Sequence, residues 1–198
     1  MQKAGFTFSL PRDPRKIICA KHPKLKKYLI KTYIDEQLNE NEWEGWIQRI
    51  KGAQQIQKSI DKHHFNKIMK TPKKWIYPLP INSDLPANRP YKKKFFLLLV
   101  EDMQILSSER NAQSYVLDIT KTKLDALYAM LTENLLIDSI YIDNIPFCKD
   151  GKIGFIDTEH YNVTHSRLKL ERLTKRFTTP MAHHWMALIS HFKQVHPE

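Results

Sequence analysis

Between the lysines Lys92 to Lys94 and the acidic pair Glu101-Asp102 the chain carries one unbroken apolar run, Phe95-Phe96-Leu97-Leu98-Leu99-Val100. A run this short falls far below the ~20 apolar residues that a bilayer core demands and is too short for a helix. Because it is apolar on both faces, it predicts a central, buried strand. A central strand needs neighbours, and the flanking sequence supplies them. Lys16–Ala20 and Tyr28–Ile34, rich in Ile and Tyr and separated by the polar turn His22-Pro23-Lys24, predict an N-terminal hairpin. Lys74–Leu79 predicts another strand, ended by Pro78-Leu79-Pro80, and Asn82–Pro90 reads as a surface loop.

The hydrophobic period then switches. Trp43, Trp46, Ile47, Ile50, Ala53, Ile56 and Ile60 recur at steps of three and four, with Asn41 as cap and Glu42 and Glu44 in the first turn, where the helix dipole favours acids. This predicts an amphipathic helix over 41–63, with Trp43 and Trp46 together on its core face, closed off by Pro72. Residues 107–118 are polar and read as a connector. Leu124, Leu127, Tyr128, Leu131 and Leu135 line a second helix, and Trp185, Leu188, Ile189 and Phe192 a last one over 181–192. Between these helices Ile145–Cys148 and Lys152–Ile156 flank Asp150-Gly151, a strong signal for a two-strand ribbon. The expected class is α+β, sheet-rich first and helix-rich later.

Composition narrows the functional classes. In 198 residues, 41% hydrophobic content suffices for one domain of one or two lobes, and only five Gly exclude collagen-like or linker-like material. The N-terminal ten residues lack the apolar core of a secretory signal, so the expected compartment is a cytosol. Cys19 and Cys148 are far apart without metal-ligand spacing, which predicts ordinary thiols with one or both buried. The pairs His63-His64 and His183-His184, with His191, lack metal spacing too and read as surface or core histidines. Net charge is +11, and it is uneven: residues 1–90 hold 18 Lys/Arg against 8 Asp/Glu, whereas the rest is nearly balanced. Such a field favours a nucleotide, an acidic protein, nucleic acid or an anionic membrane surface, or serves solubility alone. No helix-turn-helix, RNP aromatic signature or zinc finger accompanies the charge, which ranks nucleic acid last among these partners.

One constellation carries chemistry: Asn144-Ile145-Pro146-Phe147-Cys148-Lys149-Asp150-Gly151-Lys152-Ile153-Gly154-Phe155-Ile156-Asp157-Thr158-Glu159. A tight ribbon brings the Asn before its first strand to the Asp after its second, giving two oxygen donors that suit a hard cation such as Mg²⁺. This segment resembles the catalytic core of the protein-kinase-like superfamily, and Ile156-Asp157-Thr158-Glu159 is similar to its choline kinase and aminoglycoside phosphotransferase branch. The order of elements over roughly residues 16 to 160 resembles that family as well. Tyr28-Leu29-Ile30-Lys31 stands for the strand whose Lys meets the nucleotide phosphates, followed by the long helix, a strand at Trp75, and the buried strand ending in a hinge-like Val100-Glu101-Asp102-Met103.

The resemblance implies a bilobal fold, with a basic N-lobe over 1–103 and a reduced helical C-lobe over 104–198. It implies ATP and Mg²⁺ as cofactors: Lys31 and Glu44 orienting the phosphates, Glu101 and Met103 at the adenine hinge, and Asn144, Asp157 and Glu159 at the metal. Small, truncated proteins of this kind also resemble bacterial effectors that act inside host cells. Several features depart from the family. No glycine-rich loop precedes Lys31, whose turn is Ala20-Lys21-His22-Pro23-Lys24. The catalytic Asp belongs five residues before Asn144, where Ser139 stands, so Asp138 takes that role only with a one-residue insertion. Otherwise the chain is a nucleotide-binding pseudokinase or scaffold for an acidic partner. The acid that pairs with Lys31 is open between Glu42 and Glu44. Each residue has a bland alternative: Lys31 a solvated lysine, Asp157 a turn cap, Asn144 a bend before Pro146, and Glu159 a surface acid.

Overall fold

The computed structural model describes residues 5–9, 17–33, 39–80, 95–164 and 167–195. The expected loop at 82–90, the lysines at 92–94 and residues 16 and 34 of the expected strands lie outside them. The chain is mixed α+β and divides into two compact units, one of residues 1–50 and 73–102, the other of 51–72 and 103–198. Residues 51–72, expected in the N-terminal lobe, thus group with the second unit.

The first unit is built on an antiparallel sheet of β1 (Thr7–Ser9), β2 (Ile17–Lys21), β3 (Tyr28–Tyr33), β5 (Lys74–Pro78) and β6 (Phe96–Glu101), in the order β1-β2-β3-β6-β5. The expected hairpin is β2-β3, with Cys19 opposite Lys31 and Ala20 opposite Ile30. The apolar run is β6, central between β3 and β5. Register splits its residues: Leu98 and Val100 are buried with Tyr33 and with Trp46 of helix α1 (Asn39–Lys62), whereas Leu97 and Leu99 on the opposite face are only half-buried.

Helix α1 starts two residues before the expected cap. Its buried positions Glu42, Trp46, Arg49, Ala53, Ile56 and Ile60 repeat at steps of three and four. Trp43 stands one residue off that stripe, so the two tryptophans do not share the core face: Trp46 is fully buried, and Trp43 is 49% exposed at the rim against Phe96.

The second unit packs the end of α1, α2 (Ser108–Leu117), α3 (Lys121–Glu133) and α4 (Thr179–Val195) around one apolar cluster that includes Ile56, Ile60, Leu124, Leu127, Trp185 and Ile189. The expected connector at 107–118 is therefore helix α2. The Ser107 side chain caps it by accepting the Arg110 N–H, and Asn111, Ser114 and Tyr115 are its buried positions. Polarity concealed a helix whose inward residues are themselves polar. A short parallel pair, β4 (Met69–Lys70) with β7 (Ile153–Gly154), ties the ribbon to the chain that follows α1.

Candidate functional site

The ribbon forms at the expected place. Its turn closes with Gly151 N–H donating to the Cys148 carbonyl and Cys148 N–H to that of Lys152, and Phe147 bridges Ile153. Gly151 has φ +77°, a conformation that glycine adopts without steric cost. Asp150 accepts from Lys70 Nζ at 2.9 Å and from the Lys152 N–H. Burial alone raises its carboxyl, but these hydrogen bonds and the two lysine charges outweigh burial and hold it below the ordinary carboxylate range.

At the open end of the ribbon three segments meet. The Asn144 carbonyl accepts the Ile156 N–H at 3.0 Å, which sets Asn144 beside the residue preceding Asp157. Asn144 Nδ2 donates to the Asp138 carbonyl at 2.8 Å, and Asp138 Oδ2 lies 2.7 Å from His160 Nδ1. Since a carbonyl needs a donor, that bond fixes the amide orientation and turns Asn144 Oδ1 away as an acceptor. Asp138, Asn144, His160 and the Ile156 backbone that leads into Asp157 are thus gathered by backbone and side-chain bonds within the second unit. Asp138 opens a 3-10 turn, Asp138–Ile140, in which Ser139 is buried.

Two sets of residues that sequence reasoning missed hold this geometry. Asn111, buried on α2, donates Nδ2 to the Ile142 carbonyl and accepts the Phe147 N–H through Oδ1, both at 2.9 Å, while Tyr115 Oη donates to the Ile145 carbonyl at 2.6 Å. Burial pushes the Tyr115 phenol well above its ordinary pKa, with Cys148 adding to the rise, so it stays a donor. Gly52 of α1 is the second. A Cβ there would stand 1.8 Å from the Thr158 carbonyl oxygen, so the helix backbone supports the segment carrying Asp157 and Glu159 directly. The only advance signal was a glycine inside a strong helical period.

The other expected residues are placed as follows. Lys31 is half-buried on β3, facing the side of the sheet that α1 covers, in register with Cys19 and Leu98. On α1 the buried acid is Glu42, and Glu44 is exposed. Glu101 ends β6 and accepts the Lys73 N–H through Oε2. Met103 is buried in the second unit, where its methyl group fills the space over Gly154 and its carbonyl accepts Lys70 Nζ at 3.2 Å. Cys148 is a buried free thiol, and Cys19 is half-buried, its pKa raised by desolvation against the lowering charges of Lys31 and Lys21. His63 contacts Glu133 and His184 contacts Asp125.

Among the described residues no group of three or more His, Cys, Asp or Glu side chains is arranged to hold a metal. An all-protein cage is thereby absent there, but a magnesium ion that travels with a phosphate group requires only one or two protein oxygens. Asn144 and Asp157 are of that type. No protein-family model, no curated protein and no solved structure matches the chain.

Proposed function

We propose that the chain is an atypical kinase-like protein that binds ATP with Mg²⁺ and transfers phosphate to a hydroxyl group of a protein or small molecule. The observation that carries this reading is the linkage of Asn144 to the Asp138 carbonyl and to the N–H of Ile156, the residue that precedes Asp157. The order of elements in the first unit supports it: a hairpin carrying Lys31, a long helix with a buried acid, then two strands. Glu42 replaces Glu44 as the candidate partner acid, because it lies on the helix stripe that continues through Trp46. In this reading Lys31 and Glu42 orient phosphates, Asn144 and Asp157 are the residues that would hold Mg²⁺, and Asp138 accepts the proton of the acceptor hydroxyl. The metal, when bound, neutralises charge on the phosphates, and positioning supplies most of the rest.

A second reading, a pseudokinase that serves as a scaffold for an acidic partner, is favoured by two contacts. The Met103 carbonyl at the hinge is already engaged by Lys70, and the Asp138 carboxylate by His160. Thermal unfolding with ATP, with and without Mg²⁺, tests both, because a ligand that binds only the folded state raises its apparent stability. A Mg²⁺-dependent rise in Tm that Asp157→Ala abolishes is expected. A rise with no phosphate transfer to any acceptor selects the scaffold reading, and no rise under any condition rejects nucleotide binding.

A further inference from the structure

The face of the first unit's sheet that turns away from Trp46 and Tyr33 carries aromatic side chains in place of polar ones. Strand register puts Trp75 and Tyr77 of β5, Leu97 and Leu99 of β6, and Tyr28 and Ile30 of β3 on it, and it is buried at Ile30 and open toward β5. Trp75 is 42% exposed and Tyr77 56%, and Phe95, of the same parity as Leu97, is 39% exposed. Trp75 and Tyr77 are alternate residues of an outer strand, so they stand about 7 Å apart on one face. Tyr28 meets Trp75 edge-on, with centroids 5.8 Å apart.

One end of this row is cationic. The Glu101 N–H donates to the Lys73 carbonyl and the Asp102 N–H to that of Lys27, which ties both lysines to the end of β6. Lys24, Lys26, Lys27 and Lys73 are exposed, and none has an acidic partner among the described residues. Asp102 is bound by Lys21 at 2.9 Å, and Glu101 accepts the Lys73 N–H. Glu101, opposite Tyr28 on this face, keeps its negative charge because a backbone N–H does not neutralise it, and the four lysines outnumber it, so a surplus of positive charge remains.

We propose that this face binds single-stranded nucleic acid, with bases stacking on Trp75, Tyr77 and Phe95 and phosphates running toward Lys27 and Lys73. Unstacked bases offer flat π-faces that exposed aromatic rings on a sheet accept without sequence preference, and the backbone supplies the anions that the unpaired lysines lack. An apolar protein partner matches the rings but leaves those lysines unanswered. The inference is independent of the nucleotide site, since none of its residues takes part there.

The test is fluorescence anisotropy of the whole protein with labelled 12-nucleotide oligouridine and oligothymidine, against a duplex of the same length, at several salt concentrations. Expected are tighter binding of the single strands than of the duplex and a loss of about tenfold or more on Trp75→Ala with Tyr77→Ala. Trp75→Phe retains most of the binding, and Trp43→Ala, an exposed tryptophan on the other side of the sheet, leaves it unchanged. Lys27→Gln with Lys73→Gln lowers the salt slope by about 0.7 per lysine. Equal affinity for the duplex, equal binding by the double aromatic variant with an intact fold, or no binding at 50 mM salt overturns the proposal. So does self-association in gel filtration that the aromatic variant abolishes without any oligonucleotide binding, which assigns the face to a protein contact. Oligouridine and oligothymidine distinguish RNA from DNA as the ligand.

Discussion

Gly52 shows how one residue can couple a helix to a site it does not chemically join. Alanine raises helix propensity by about 1 kcal/mol at an unconstrained position, yet here its Cβ would lie 1.8 Å from the Thr158 oxygen and 2.9 Å from the carbonyl carbon. Those are backbone atoms that cannot rotate away. Overpacking of this kind costs about 1–3 kcal/mol, so at about 2–4 °C per kcal/mol for a chain of this size Gly52→Ala is expected to lower Tm by roughly 2–12 °C. Under the proposed nucleotide binding, the ATP-dependent rise in Tm falls with it, because the displaced segment carries Asp157. Thermal melts of the variant with and without ATP and Mg²⁺ check both effects; an unchanged Tm means that the helix and the Thr158 segment are not in register contact. Residue chemistry was otherwise the most legible scale. Asn144, Asp157 and Asp150-Gly151 stand close together in sequence, and a ribbon forced by its turn brings the first two to one end. Choosing Glu42 over Glu44 required the phase of α1, which a two-residue difference between acids of the same kind does not reveal.

Elements with one apolar face were readable, and α2 was not, for a reason visible in its contacts. Its inward face spends Asn111 and Tyr115 on the backbone of residues 142–147, so the positions that would betray a helix by hydrophobicity are occupied by hydrogen-bonding groups. The helix is a clamp for the loop between Asp138 and the ribbon. Replacing Asn111 by Ala leaves a buried carbonyl and a buried N–H without partners, each costing about 1–3 kcal/mol. Asn111→Ala is therefore expected to destabilise by about 2–6 kcal/mol and to raise hydrogen exchange at the Phe147 amide. Ser107→Ala, which removes only the cap, costs about 1 kcal/mol and leaves that amide protected. Equal exchange at Phe147 in both variants removes the clamp role. The strand β6 illustrates the complementary error. Six apolar residues imply burial on both faces, but in β6 only Leu98 and Val100 are buried, and the opposite face, closed at Ala20 and Ile30, stays half-buried at Leu97 and Leu99 and exposed at Trp75 and Tyr77.

At the scale of the molecule the basic excess was legible from composition, whereas a division of the chain inside α1 was not. The break in contacts falls within α1 at Ile50–Lys51, inside an unbroken helical period that carries no local mark. The second unit also concentrates carboxylates whose partners are distant in sequence. Glu133 accepts from Lys62 and contacts His63, Asp150 accepts from Lys70, and Glu171 pairs with Lys193 at 2.6 Å. In each, burial raises the carboxyl but hydrogen bonds and neighbouring positive charge outweigh it, so the folded pKa lies below the unfolded one. A depressed folded pKa means that the unfolded chain binds protons first as pH falls. The stabilisation is complete above the unfolded carboxylate value, near pH 4–5, and is lost as pH drops through the lower folded values. All three groups are partly exposed, so each contributes modestly, as surface ion pairs do. Together they predict that acid weakens the second unit, and that Glu133→Gln combined with Asp150→Asn lowers stability at pH 7 while flattening its decline between about pH 5 and 3. Denaturant melts followed by near-ultraviolet circular dichroism across that range measure the slope. A variant slope as steep as that of the parent transfers the acid sensitivity to other carboxylates and removes these two pairs from the account.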